Sequence, residues 1–276
     1  MIPEIKPGYG VFERTEDAIK AAAEAQKNYE MNYTLAERQT IIDAVRAALV
    51  SEAKFISEME FEETGYGRPE DKYGKNLSTA TGVPGTEKLP KEMVKSDDEG
   101  LLMEFYAPFG VIGALTPVTN PSATIAGNGI CCLASGNGIV FNAHPAAKVS
   151  SAYALQLVNK AVVEAGGPDN LLTCTMIPTM DSLKVIMSAP EISLLIGTGG
   201  PAMVKTLMGS GKKCICAGPG NPPTIVDETV DLDECAKNLI MSHSLENNTL
   251  CVCEKEAFVV DEVFDSFMYA IDRKST

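Results

Sequence analysis

A basic face is missing from this chain: 37 Asp and Glu stand against 23 Lys and Arg, a formal charge of −14 over 276 residues. Nucleic acid and anionic membranes both reward clustered cations, so neither is expected as the main partner. No apolar run reaches the length of a membrane span, and the opening Met1-Ile-Pro-Glu-Ile-Lys-Pro7 has no apolar stretch of the signal-peptide kind. The expected compartment is therefore the cytosol, where the eight cysteines are expected as thiols rather than a disulfide framework. The pairs Cys214/Cys216 and Cys251/Cys253 are spaced more tightly than the ligands of structural zinc sites, so no metal is assigned. On strands, the members of each pair share a face.

A hydrophobic content of 45% and a charged content of 22% are those of an ordinary globular protein, with chain enough for one large or two modest domains. The first third reads as helix. Thr15 to Met31 places Ala18, Ala22 and Ala25 on one face; Thr34-Leu-Ala-Glu37 has the form of a capping box that opens a helix running to Glu63 and stopped at Thr64-Gly65; Pro69 opens a third, ending near Gly82. Their acidic faces read as solvated surface. Residues 83–101 are turn-rich and charged, and Leu102–Tyr106 reads as a strand.

From Pro108 onward short apolar strands (111–116, 139–142, 171–177, 193–198, 214–217) alternate with helices (122–134, 147–165, 180–188, 202–208), followed by a strand at 224–226. This alternation predicts an α/β fold with a doubly wound parallel sheet, whose ligands bind at the carboxyl ends of the strands. Three such ends carry informative residues. Leu115-Thr-Pro-Val-Thr-Asn-Pro121 runs from strand to helix, with Asn120 either a cap or an amide donor on the turn. Phe141-Asn-Ala-His-Pro145 places His144, one of two histidines, where it either packs near a ligand or ends the strand, with general-base chemistry the weaker reading. Leu194-Leu-Ile-Gly-Thr-Gly-Gly-Pro201 is a glycine-rich turn into a helix; it either cradles a pyrophosphate on free amides or is simply a tight connection.

Near the end, a helix at 231–243 gives way to Ser244-Leu-Glu-Asn-Asn-Thr-Leu-Cys-Val-Cys-Glu-Lys255 and then an apolar strand at 257–260. That places Cys251 on a polar loop. Free cysteine is often simply buried, but a thiolate in a polar, partly open setting is a strong nucleophile. A last helix, 261–272, carries an apolar stripe of Val263, Phe264, Phe267, Met268 and Ile271 that needs a partner.

Asn247-Asn248-x-x-Cys251 with Glu254-Lys255 resembles the nucleophile loop of the aldehyde dehydrogenase superfamily, and of its CoA-acylating branch in particular. The Val-Thr-Asn-Pro turn at 118–121, the glycine turn at 198–200, the string Glu62-Glu-Thr-Gly-Tyr-Gly-Arg-Pro-Glu-Asp-Lys72 and Cys216-Ala-Gly-Pro-Gly-Asn-Pro-Pro223 resemble the same branch. The resemblance implies a Rossmann-type sheet behind N-terminal helices, with Cys251 as nucleophile and Asn120 joining a backbone amide in an oxyanion hole. It implies NAD contacts from Thr116, Pro117, Asn142, His144, Thr198, Gly199 and Gly200. Asn142 stands where many relatives have a Lys, which tilts the choice toward NAD while leaving NADP open. Relatives that hydrolyse their acyl-enzyme carry a Glu where this chain has Cys216, so coenzyme A is the implied acyl acceptor and a short-chain aldehyde the substrate.

The implied domains are 1–248, helices plus dinucleotide-binding domain, with 83–106 supplying subunit-interface strands of a homo-oligomer, and 249–276, the start of a truncated catalytic domain. The tail Arg273-Lys-Ser-Thr276 matches no part of the family pattern. Two other readings stand beside the acylating enzyme: an inactive nucleotide-binding or assembly module, and a hydrolytic aldehyde dehydrogenase. Packaging in a bacterial microcompartment is left open.

Overall fold

The computed structural model describes residues 2–275; Met1 and Thr276, the outer residues of the opening stretch and of the tail, lie outside them. In chain order the elements are β1 (Val11–Phe12), α1 (Thr15–Asn32), α2 (Leu35–Thr64), α3 (Pro69–Gly82), β2 (Met93–Asp97), β3 (Gly100–Glu104), β4 (Val111–Leu115), α4 (Pro121–Ser135), β5 (Gly138–Asn142) and α5 (Lys148–Glu164). They continue with β6 (Leu172–Thr175), α6 (Met180–Ser188), β7 (Ile192–Thr198), α7 (Pro201–Met208), β8 (Lys213–Ala217), β9 (Pro223–Val226), α8 (Leu232–Ser244), β10 (Glu256–Val259) and α9 (Phe264–Ser275).

Six strands form a parallel sheet in the order β1-β6-β5-β4-β7-β8. The period-2 alternation of side chains fills both faces. Ile112, Ala114, Ile139 and Phe141 pack toward α2, α4 and α5, while Val111, Leu115 and Val140 pack toward α1, α6 and α7. Burial on both sides explains why β4 and β5 read as unbroken apolar runs. The chain steps outward from β4 to β5 and β6, then returns to β7 on the other side. The strand order therefore reverses between β4 and β7, and the loops leaving these two strands must diverge, opening a crevice.

The helix starts follow their local signals. Thr34 and Glu37 form the capping box, with the Glu37 carboxylate accepting from the Thr34 amide at 2.8 Å. Several expectations need correction. Val11–Phe12 is a strand, paired with Cys174 and Thr175, although two residues carry no legible period. The strand expected at Leu102–Tyr106 lies at Gly100–Glu104 and pairs with Met93–Asp97 in a hairpin exposed along its whole length. The strand at 224–226 joins β10 in a separate parallel pair, with Val226, Leu239 and Phe267 packed beneath it. Residues 273–275 are the last turn of α9 rather than a tail. The acidic faces of α2 and α3 are only partly solvated: Glu60 and Lys72 are fully buried, for reasons that lie at the site.

Candidate active site

A cleft of about 560 Å³ opens where the strand order reverses. The turn after β4 (115–119), the exit of β5 (142–145), the turn after β7 (198–200), Gly218–Gly220 and the segment 248–251 line it. Eight of the nine residues singled out above are thus brought together: Thr116, Pro117, Asn142, His144, Thr198, Gly199, Gly200 and Cys251. Asn120 stands one residue beyond the lining Thr119. Its side chain does not cap α4, and its amide oxygen is buried without a partner among the described residues.

Cys251 sits on a turn, half-buried, with its neighbours fixed on every side. Asn248 Nδ2 donates to the carbonyls of His243 at 2.7 Å and Glu254 at 3.2 Å, and Lys255 Nζ donates to the carbonyls of Asn248 at 2.8 Å and Leu250 at 2.9 Å and to Asn248 Oδ1. Above the turn passes Gly220. A Cβ there would lie 2.0 Å from the Cys251 carbonyl oxygen, so only glycine fits. The Cys251/Cys253 pair is not on a strand and does not share a face: Cys253 is buried, its Sγ 3.7 Å from the Leu245 carbonyl, and burial pushes its thiol pKa up. One thiol meets the cleft and the other meets the core.

Ahead of the cysteine, Glu246, Asn247 and Asn248 adopt left-handed backbone in succession, with φ of 52°, 53° and 57°. Asparagine tolerates this region; for an ordinary residue such as Glu it costs about 1–2 kcal/mol and persists only where the surroundings enforce it. The enforcement comes from α3 and the turn before it. The fully buried Glu246 carboxylate meets Lys72 Nζ at 3.0 Å and Lys75 Nζ at 3.5 Å. Its backbone amide donates to Asp71 Oδ2 at 2.8 Å, Arg68 donates to the Ser244 carbonyl at 2.8 Å, and Asn247 Nδ2 donates to the Gly67 carbonyl at 3.1 Å. Gly67 is itself left-handed at φ +72°, and a Cβ on it would come within 2.2 Å of Glu246 Oε2. The string 62–72 is thus the seat of the Cys251 loop.

Helix N-termini around the cleft present amides without intrahelical acceptors. Three of the four are closed by the protein's own side chains. Glu60 Oε1 accepts from Ser122 N of α4 at 2.9 Å; Glu63 accepts from Val149 N and Ser150 N of α5 at 2.8 and 2.7 Å; Thr179 and Ser182 form a capping box on α6. The fourth, α7, has Gly200 as its N-cap and no side-chain cap. A Cβ on Gly200 would meet nothing within 4 Å, and its φ of −66° suits any residue, so neither strain nor packing explains the glycine. The buried Thr116 Oγ1 on the cleft wall also lacks a partner among the described residues.

Asn142 and His144 are partly committed elsewhere. Asn142 Oδ1 accepts from Ser182 Oγ at 2.6 Å, and the exposed His144 takes the Ala146 amide on Nδ1 at 3.2 Å, ending the strand region with a cap. Cys216 lies on β8, packed against the sheet, and is not part of the cleft wall. The lining provided by the described residues holds no carboxylate. Lys72, Lys75 and Glu246 are not legible as partners from sequence, since 174 positions separate Lys72 from Glu246.

The chain belongs to the aldehyde dehydrogenase family, whose sequence model matches residues 10–276. The acetylating acetaldehyde dehydrogenase EutE of Salmonella typhimurium is 42% identical over 260 residues, which is 94% of this chain and 55% of that protein. A propionaldehyde dehydrogenase from the fucose utilisation bacterial microcompartment of Clostridium phytofermentans is also 42% identical, with a TM-score of 0.93 over 96% of this chain and 61% of that one. The propionaldehyde dehydrogenase of Rhodopseudomonas palustris, solved with bound CoA and an acylated cysteine, is 37% identical with a TM-score of 0.92, over 97% of this chain and 61% of that one. The chain spans about half the length of the curated relatives it matches. No helix among the described residues is long and apolar enough to cross a membrane.

Proposed function

We propose that this chain carries the cofactor-binding half and the nucleophile of a CoA-acylating aldehyde dehydrogenase, oxidising a short-chain aldehyde to its acyl-CoA with NAD or NADP. The observation that carries the reading is the convergence of Cys251, the uncapped end of α7 and a carboxylate-free wall in one cleft. The free amides at α7, the space over Gly200 and the unpartnered Thr116 hydroxyl fit a dinucleotide diphosphate and ribose. Thr198, Gly199 and Gly200 would hold the diphosphate, with Thr116, Pro117, Asn142 and His144 along the same wall. A nicotinamide bound there supplies the hydride acceptor.

The chain's own residues do the rest. The Cys251 thiolate adds to the aldehyde carbonyl carbon, and the negative charge passes to oxygen, where the Asn120 amide and the Cys251 backbone N–H stabilise it. As hydride leaves that carbon the C–O bond becomes a carbonyl again and Cys251 holds a thioester. With no carboxylate on this wall to activate water, a thiol that ionises readily is the better acceptor; the coenzyme A thiolate displaces Cys251, which leaves as thiolate. The exposed β2–β3 hairpin, with Met93, Val94, Leu101, Leu102 and Met103 open to solvent, is the surface through which copies associate.

The test is NADH or NADPH formation by the purified chain with a short aldehyde, with and without coenzyme A, beside Cys251→Ala. The expected outcome is turnover that requires coenzyme A and is lost in the variant. Absence of turnover with nucleotide still bound would replace the reading with that of a nucleotide-binding module; turnover independent of coenzyme A would replace it with a hydrolytic one.

A further inference from the structure

Four ionisable side chains lie beneath the cleft without lining it: Glu60 on α2, Lys72 and Lys75 on α3, and Glu246 ahead of the nucleophile. Glu60, Lys72 and Glu246 are fully buried, and Lys75 nearly so. They balance as two cations and two anions. Burial pushes the Lys75 pKa down from its ordinary value, with the Glu60 and Glu246 carboxylates opposing the shift.

Their contacts join two loops that are distant in sequence. Lys75 Nζ donates to the Thr119 carbonyl at 3.2 Å and lies 3.5 Å from Glu246 Oε2, so one ammonium touches the residue before Asn120 and the head of the Cys251 loop. Glu60 takes the Ser122 amide at 2.9 Å on the far side of Asn120 and the Asn76 side chain at 3.3 Å. Asn120 is therefore bracketed, at Thr119 and Ser122, by the assembly that holds Glu246 in left-handed backbone. Stability alone does not account for four buried charges, because well-packed apolar residues of similar volume often serve as well or better. Directed hydrogen bonds supply what apolar packing does not, a fixed relation between two loops.

We propose that Lys75 and Glu246 are positioning residues that set Asn120 and Cys251 relative to one another, Lys72 and Glu60 completing the charge balance. The inference rests on the reading of Cys251 as nucleophile and Asn120 as oxyanion donor. A misplacement of the order of 1 Å between such groups costs about 100-fold in rate.

The test uses Lys75→Met, Glu246→Gln and Lys75→Arg in the purified chain. Lys75→Met and Glu246→Gln are expected to lower kcat about 100-fold with the aldehyde KM changed less than about threefold, and Lys75→Arg to recover most of the loss. Combined with Asn120→Ala, Lys75→Met should cost less than about threefold more, because the donor it positions is gone. Full additivity, or unchanged kcat in Lys75→Met, overturns the proposal. Amide hydrogen exchange gives a readout that does not need turnover. Lys75→Met is expected to speed exchange in both 119–124 and 246–252 while leaving 198–204 unchanged. Acceleration in one segment alone, or across the whole chain, also overturns it. If the wild-type chain has no turnover and Lys75→Met still shows the paired acceleration relative to it, the enzymatic reading is removed and the coupling of the loops stays in place.

Discussion

Two of the loops that line the cleft are built on opposite terms. The segment before Cys251 is strained, with three left-handed residues in a row, and is held by buried charges, two lysine anchors and a glycine that nothing larger could replace. The turn at 198–200 is relaxed: its N-cap has ordinary dihedrals, no side-chain cap and open space around it. On the proposed reading, a group that makes and breaks covalent bonds needs its direction fixed before substrate arrives, whereas a turn that receives an anion needs its amides uncommitted. Strain in one loop and uncommitted amides in the other would then be two forms of the same preparation.

The comparison breaks most severely at Gly67. Gly67→Ala places a Cβ against the Glu246 carboxylate at a left-handed position, and we expect a loss of about 3 kcal/mol in urea unfolding together with loss of Cys251 function. Gly200→Ala probes the other loop and should separate stability from binding. The chain's stability is expected to change by less than about 1 kcal/mol, since alanine suits that backbone but is a poorer N-cap than glycine, while nucleotide binding measured by fluorescence titration weakens about tenfold. Unchanged affinity would show that the turn is not an open receptor.

The smallest effect concerns thiols. Burial pushes Cys174 up to about 12 and raises Cys253, so at pH 8 iodoacetamide followed by peptide mass mapping should label Cys251 at least about tenfold faster than either. The same shift has a sign for stability. A thiol raised from its ordinary 9.0 to about 12 favours folding fully below pH 9, and that contribution is lost as pH rises from 9 toward 12. Equal labelling of Cys251 and Cys253 would erase the distinction between the thiol at the cleft and the thiol in the core.

Much of the frame was legible because its causes are local. The capping box at Thr34 and Glu37, the proline that opens α3 and the alternation of strands with helices are written within a few residues of where they act. The cleft-lining residues were legible because parallel strands deliver their carboxyl-end loops to one edge, so three turns far apart in sequence could be placed together. What stayed hidden depends on long-range pairing. Glu246 reads as a loop acid until Lys72 and Lys75 are seen around it, and Glu60 and Glu63 read as a wet helix face until α4 and α5 set their first turns on them. The loop position of Cys251 was legible, but the shared face that Cys251 and Cys253 would have on a strand does not arise, because two-residue alternation holds only in extended backbone and both lie on a turn.

The two-residue strand β1 has a consequence for the molecule among its neighbours. Cys174 N donates to the Gly10 carbonyl at 2.9 Å and Met176 N to the Phe12 carbonyl at 2.8 Å, while Asn159 Nδ2 donates to the Tyr9 carbonyl at 3.0 Å and fastens the segment in place. Val11 and Phe12 thereby cover the outer edge of β6, whose unpaired amides and carbonyls would otherwise offer a template for another chain. A few residues near the start of the sequence thus act as a selvedge on that side, keeping the β6 edge from being extended by its own kind.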